Sequence, residues 1–155
     1  MAVEEEKSKK VVSFRITKGN IHDTKKFGPL VKETAEKYDI DKVHVDKAYD
    51  NNRKNFNILD DINAEPAIGI RKNASSTRLK GCPLRKDEVF LIKKKLGFEG
   101  WKQQLKDAGR RWWIAEIVFS SIKRVMGEDL LSKKFSAQKV EAGLKVMLYN
   151  KFISL

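Results

Sequence analysis

The stretch DKVHVDKAYDNNRKNFNILDDINAEPAIGI, residues 41–70, decides the fold because it contains a complete strand-helix-strand pattern. Residues 41–46 alternate valine with polar side chains and are predicted to form a short strand. Residues 52–62 are predicted to form a helix, and residues 65–70 a second strand. A helix between two consecutive strands is typical of parallel strands joined by a crossover.

The residues before this stretch repeat the same pattern. Residues 9–17, KKVVSFRIT, are predicted to form a strand, and residues 27–38 a helix. The resulting order, β-α-β-α-β, indicates parallel strands with crossover helices and therefore an α/β fold. We expect the whole chain, residues 1–155, to form a single domain of this class.

The pattern changes after Ile70. Residues 71–109 mix lysine and arginine with serine, glycine and proline, which predicts a basic, loop-rich insertion. Within it, residues 89–96 are predicted to form a short helix. A helix around Glu116 should then end near Gly127, and a last helix should span residues 136–152.

Both C-terminal helices carry apolar residues at the spacing of an amphipathic helix. The predicted core-facing positions of the first are Ile114, Ile117, Val118, Ser121, Ile122 and Val125. Those of the last are Val140, Leu144, Met147, Leu148 and Phe152.

Composition restricts the class of protein. The chain is 41% hydrophobic and 35% charged, and no apolar run approaches the roughly 18 residues of a membrane span. Its first residues, MAVEEE, are acidic and do not resemble a signal peptide. The single cysteine, Cys82, excludes an internal disulfide and a multi-cysteine zinc site. We therefore expect a soluble protein of the reducing cytoplasm, without a membrane partner.

The net charge of +12 lies entirely in the C-terminal part. Residues 1–66 contain 13 basic and 13 acidic residues, whereas residues 67–155 contain 20 basic and 8 acidic ones, and 20 − 8 = +12. Such an asymmetry is typical of a surface that binds a polyanion, and it favours a nucleic-acid partner.

Glu116 and Lys123 are candidates for direct chemistry. Seven residues apart on one helix, they point in nearly the same direction but lie about 10 Å apart along the axis. This separation is too large for a direct ion pair, so both could act on a metal-bound phosphodiester. Asp46 follows the predicted strand at its carboxyl end, which is where ligands bind in open α/β sheets.

A strand-end aspartate, a later helical glutamate and an intervening basic segment resemble the DDE-type transposases of insertion sequences. The resemblance runs along most of the chain. It is carried by four segments: VSFRITKGNIHD (12–23), VDKAYD (45–50), RKNA (71–74) and WIAE (113–116), the last followed by Phe119-Ser120, Lys123-Arg124 and Leu148-Tyr149-Asn150. This family has a catalytic domain with a ribonuclease H-like fold.

The resemblance implies DNA transposition by phosphoryl transfer, with Mg²⁺ or Mn²⁺ held by carboxylates. Asp46 and Glu116 would be the catalytic metal ligands, and the partners would be the element ends and the target DNA. Location would be cytoplasmic and nucleoid-associated. The implied DNA-binding residues are Lys123, Arg124, Arg71, Lys72, Arg78, Arg111 and Trp113, with Trp112 as an alternative for base stacking.

The chain also departs from the family pattern. The family's first catalytic aspartate lies on an earlier strand, for which the residues before Val11 offer no match. Trp112 stands where the family usually has arginine, and Arg111 is displaced by one position. We therefore expect a C-terminal portion that is inactive or nearly so alone. Its exposed sheet edge would pair with a second copy or with another chain that supplies the missing strands.

Three other hypotheses remain open. The first is a non-catalytic DNA- or RNA-binding protein that uses the basic half alone. The second is a stand-alone ribonuclease H-like nuclease, which needs a third carboxylate near Asp46; Asp50 and Asp23 are the candidates. The third is a decayed gene product without activity.

Overall fold

The computed structural model of the chain describes residues 2–3, 8–19, 21, 23–50, 54–71, 73–75 and 82–155. At residues 2–3, 98, 101, 104–105 and 107–112 it describes the backbone alone. The described chain is a mixed α/β structure that divides into two compact units. One unit is His22–Trp112, and the other combines Met1–Ile21 with Trp113–Leu155.

Short strands and short helices alternate in the first part of the described chain, and two longer helices end it. In chain order they are β1 (Ala2–Val3), β2 (Val11–Ser13), α1 (Phe27–Ala35), β3 (Lys42–Val45), α2 (Lys54–Asp61), β4 (Glu65–Ile68), α3 (Pro83–Phe90), α4 (Gly97–Met126) and α5 (Phe135–Phe152). Two 3₁₀ turns, Asp23–Lys26 and Lys47–Tyr49, precede α1 and follow β3, and a π-helical turn, Leu91–Lys95, follows α3.

The unit His22–Trp112 contains the predicted strand-helix-strand pattern. β3 and β4 pair in parallel, with Val43 opposite Pro66 and Val45 opposite Ile68, and α2 is the crossover between them. Phe56 and Leu59 of α2 are fully buried in a cluster that includes Phe27 of α1 and Ile70. The helix therefore covers one apolar face of the strand pair, as the crossover geometry predicts.

The prediction of three parallel strands is wrong for the described residues. β2 has three residues rather than the nine predicted, and it pairs with β1 in antiparallel orientation. The alternation within a segment shows that it can form a strand, but it does not specify the partner strand.

The basic insertion is more helical than predicted. α3 begins with Pro83 at its first turn, where the missing N–H costs nothing. It continues into the π-helical turn, and Gly97, with a φ of +65°, is the first residue of the long helix α4. The predicted short helix at residues 89–96 was therefore placed too late, since it covers only the end of α3 and the π-helical turn.

The second unit has a smaller core. Val11 of β2, Val118 and Ile122 of α4, and Tyr149 of α5 are buried together. Asn150 links α5 to β2: its amide oxygen accepts from the Val11 backbone N–H at 2.9 Å, and its amide nitrogen donates to the Val11 carbonyl at 2.8 Å. The side chain thus replaces a neighbouring strand at this edge.

The predicted core-facing positions of α4 and α5 need correction. On α4 the buried positions follow a four-residue spacing through Val118 and Ile122, while Ile117 and Val125 are 51% and 63% exposed. On α5 all the predicted core positions are more than half exposed, namely Val140, Leu144, Met147, Leu148 and Phe152. An apolar stripe shows that a face can be buried, but it does not show what covers it.

Glu88 of α3 provides a pH-dependent prediction. Burial raises the pKa of its carboxyl group above the usual value, and the nearby charge of Glu65 raises it further. The folded state therefore binds this proton more tightly than the unfolded state does, and ionisation of Glu88 destabilises the fold. This loss of stability is absent below the unfolded pKa and develops as the pH rises through the folded pKa. We expect Glu88→Gln to increase the free energy of unfolding at pH 7, but not at pH 4.

Urea unfolding of both proteins at the two pH values measures this difference. Asp60→Asn, an exposed change in the same unit, is the matched control and should follow the wild type. Equal stability of Glu88→Gln and the wild type at pH 7 would contradict the prediction.

Within the described part of the chain, no helix is both long enough and apolar enough to cross a membrane.

Candidate functional site

Asp46 lies where the sequence predicts it, directly after β3. Its side chain caps the following 3₁₀ turn, since Oδ1 accepts a hydrogen bond from the Ala48 backbone N–H at 2.7 Å. The described residues provide no hydrogen bond to its other oxygen, and the residue is only partly buried. Capping therefore leaves one carboxylate oxygen available to a ligand.

Tyr49 shows that a second carboxylate is near. Burial raises the pKa of its phenol, and the negative charges of Asp23 and then Asp46 raise it further. The phenol therefore lies in the field of two carboxylates from different segments of one unit. Such a region of negative potential attracts cations, and oxygen ligands suit Mg²⁺, which keeps several of its waters.

Asp50, the other candidate for a third carboxylate, is not available as a metal ligand. It is 3% exposed, and both of its oxygens accept hydrogen bonds from Arg85, at 2.6 and 3.2 Å. Of the two candidates in the nuclease hypothesis, this leaves only Asp23. No group of three or more histidine, cysteine, aspartate or glutamate side chains is placed to hold a metal ion among the described residues.

Glu116 lies in an open groove of about 540 Å³ along α4. The described lining comes entirely from that helix and consists of Trp113, Glu116, Ile117, Ser120, Ser121 and Arg124. Glu116 is exposed, and Trp113 has 55% of its surface exposed. A carboxylate, a guanidinium and an indole therefore face solvent together.

Lys123 is not in this groove, although its helical position suggests it. Its Nζ lies 2.6 Å from the Glu128 carboxylate and 5.0 Å from the centre of the Phe119 ring. Gly127, with a φ of +84°, follows the end of α4 and precedes Glu128. The hydrogen bond and the charge of Lys123 lower the pKa of Glu128. Arg124, for which the described residues offer no ion-pair partner, is the cation that lines this groove with Glu116.

The remaining predicted DNA-binding residues are only partly described. Arg71 is exposed and its backbone N–H donates to Asp50 at 3.0 Å. Lys72 and Arg78 lie outside the described residues, as do the side chains of Arg111 and Trp112. Asp46 belongs to one unit and Glu116 to the other, and each is described within its own unit.

Sequence reasoning missed two features of these sites. The pairing of Asp50 with Arg85 joins residues 35 positions apart, and no local pattern indicates it. The pairing of Lys123 with Glu128 had a local signal, because a glycine after a helix end often reverses the chain.

Comparison with known protein families gives a match over almost the whole chain. The family model described as "Transposase DDE domain" matches residues 2–151. No curated protein matches the chain, and no solved structure does.

Proposed function

We propose, because the chain belongs to the family of transposase DDE domains, that it serves DNA transposition as a catalytic-domain portion that binds DNA. In a complete form it performs metal-dependent strand cleavage and transfer. The observation that carries the proposal is the family match, which covers both the Asp46 turn and the Glu116 groove. A ribonuclease H-like arrangement is supported by the parallel pair β3–β4 with its crossover helix.

Asp46 and Glu116 are the proposed metal ligands. Carboxylate oxygens suit Mg²⁺ or Mn²⁺, and Asp46 has an oxygen without a hydrogen bond from the described residues, while Asp23 adds negative potential near it. When bound, the metal ions activate the attacking oxygen and stabilise the leaving oxygen of the phosphodiester.

The Glu116 groove is the proposed point of contact with DNA. Arg124 can hold a phosphate through its guanidinium fork, and the exposed face of Trp113 can stack on an unpaired base. Lys123 would contact a phosphate in competition with Glu128. Contacts along the phosphate backbone of the DNA are proposed for Arg71, Lys72, Arg78 and Arg111.

We propose that the chain alone cleaves DNA weakly or not at all. Asp50 is held by Arg85, so of the three aspartates considered in the unit His22–Trp112 only Asp46 and Asp23, on separate turns, remain as candidate ligands. A partner, either a second copy or another chain with additional strands, remains a prediction, as does the nucleoid-associated cytoplasmic location. The exposed apolar positions of α5 are compatible with such a partner.

DNA binding with and without Mg²⁺ tests this function. We expect Mg²⁺ to increase affinity for a labelled DNA duplex by roughly three- to tenfold, up to about 1.4 kcal/mol, because a Mg²⁺ ion held by Glu116 would offset the repulsion between this carboxylate and the DNA phosphates. Glu116→Gln should remove this Mg²⁺ response while retaining binding without Mg²⁺. Fluorescence anisotropy at constant ionic strength measures both.

Glu128→Gln is the matched control, because it removes one negative charge from the same unit outside the groove. It should retain the Mg²⁺ response and bind DNA more tightly, since Lys123 becomes available. A Mg²⁺ response unchanged by both Glu116→Gln and Asp46→Asn would favour the non-catalytic nucleic-acid-binding hypothesis. Strong Mg²⁺-dependent plasmid nicking by the chain, abolished in Glu116→Ala, would contradict the proposed inactivity.

A further inference from the structure

Asp50 is a buried carboxylate that the proposed chemistry does not use. Its side chain has no exposed surface, and that of Arg85 is 13% exposed. Oδ1 accepts from Arg85 Nε at 2.6 Å, while Oδ2 accepts from Arg85 Nη2 at 3.2 Å and from the Arg71 backbone N–H at 3.0 Å. The carboxylate is therefore fully compensated by one guanidinium and one amide.

These contacts join three segments of one unit. Asp50 ends the turn that Asp46 begins, Arg71 follows β4, and Arg85 lies in α3. The turn has a further support, because Nδ2 of the buried Asn55 in α2 donates to the Tyr49 carbonyl at 2.8 Å. The backbone that carries Asp46 is thus fixed to the neighbouring strand end and to two helices.

A buried ion pair is a poor way to gain stability, because an apolar pair of similar volume is often as stable. Its geometric property is different: the planar guanidinium fork fixes both carboxylate oxygens at once. A metal ligand benefits from such fixation, because its supporting shell determines where its oxygens point.

We propose that Asp50 and Arg85 are positioning residues that hold the Asp46 turn in the conformation required for divalent-cation binding. This inference rests on the proposed metal role of Asp46 and deepens it. Asp50 does not contact the cation, because both of its oxygens are occupied.

Paramagnetic broadening by Mn²⁺ tests the proposal on the full chain without DNA. Titration of the wild type should broaden the backbone amide signals of Lys47 and Ala48 before those beside exposed carboxylates elsewhere. In the double variant Asp50→Leu/Arg85→Met, which keeps the site packed, we expect this broadening to require at least about tenfold more Mn²⁺. The amide spectrum of each variant reports whether it folds.

Lys42→Gln/Glu65→Gln is the matched control. It removes an ion pair of 2.6 Å between β3 and β4 of the same unit, at the exposed amino ends of these strands. It should leave the Mn²⁺ titration unchanged. Arg85→Lys keeps the positive charge but loses the guanidinium fork, so it should require an intermediate Mn²⁺ concentration for the same broadening. If the double variant does not fold, Arg85→Lys tests the positioning role in its place.

The outcomes separate the two proposals. A folded double variant, or failing that a folded Arg85→Lys, with a wild-type Mn²⁺ titration at Lys47 and Ala48 would overturn the positioning role and leave the proposed function intact. Absence of selective broadening in the wild type would overturn the metal role of Asp46, and the positioning role with it.

Discussion

DNA binding by this chain is expected to weaken by about 10³- to 10⁵-fold between 50 and 200 mM salt, which corresponds to 6–10 phosphate contacts. The excess of basic residues is the physical reason. Residues 67–155 hold the whole net charge of +12, and the basic residues Lys93, Lys94, Lys95 and Arg124 are exposed there. Each phosphate contact releases condensed counterions, so added salt opposes binding.

Individual contacts can be identified from the slope of log affinity against log salt concentration. Arg124→Gln should reduce that slope by about 0.9, the value for one phosphate contact with duplex DNA. Lys37→Gln is the matched control, since Lys37 is exposed but lies in the neutral part of the chain, and it should leave the slope unchanged. Fluorescence anisotropy over a salt series measures the three slopes.

A slope near zero for the wild type would contradict an electrostatic DNA-binding surface. If Arg124→Gln and Lys37→Gln changed the slope equally, the chain would still bind DNA, but the Glu116 groove would not be part of the DNA-binding surface. Lys123→Gln should change the slope less than Arg124→Gln does. Lys123 is already paired with Glu128, so its contribution to phosphate binding is smaller than that of an unpaired cation.

The parts of the fold predictable from sequence are those with a strong local signal. The strand-helix-strand pattern of residues 41–70 is correct in order and within two residues at every boundary. α5 begins at Phe135, one residue before its predicted start, and α4 ends at Met126 beside the predicted Gly127. Valine alternation, apolar periodicity and a terminal glycine act over a few residues, so one sequence reveals them.

The parts that failed depend on distant residues. The strand that pairs with β2 and the residues that pack on α5 are determined by tertiary contacts, which no local sequence pattern specifies. The basic insertion is more helical than predicted. Its serine, glycine and basic residues are typical of a loop, but Pro83 also suits the first turn of a helix.

The candidate site shows the same division. The position of Asp46 after β3 follows from strand prediction, and the shared groove of Glu116 with Trp113 follows from their spacing on one helix. The burial of Asp50 against Arg85 depends on how α3 packs 35 residues later, so the sequence left Asp50 as a possible metal ligand.

Truncation of Phe56 to alanine is expected to lower the free energy of unfolding by about 3–5 kcal/mol. Phe56 has no exposed surface and lies in the main cluster with Leu59, Ile70 and Val89, which are also fully buried. Its removal therefore loses both the transfer free energy of the ring and the contacts around the resulting cavity. Domains of this size have a total stability of about 5–15 kcal/mol, so the loss is a large fraction of it.

Phe152→Ala is the matched control because it deletes the same ring from α5, where Phe152 is 56% exposed. We expect a change within about 0.5 kcal/mol, typical of a surface position. Urea unfolding followed by circular dichroism measures both variants. A loss for Phe152→Ala as large as that for Phe56→Ala would mean that the α5 face is covered in solution. A midpoint that rises with protein concentration would then identify the cover as a second copy of the chain, because association stabilises by mass action.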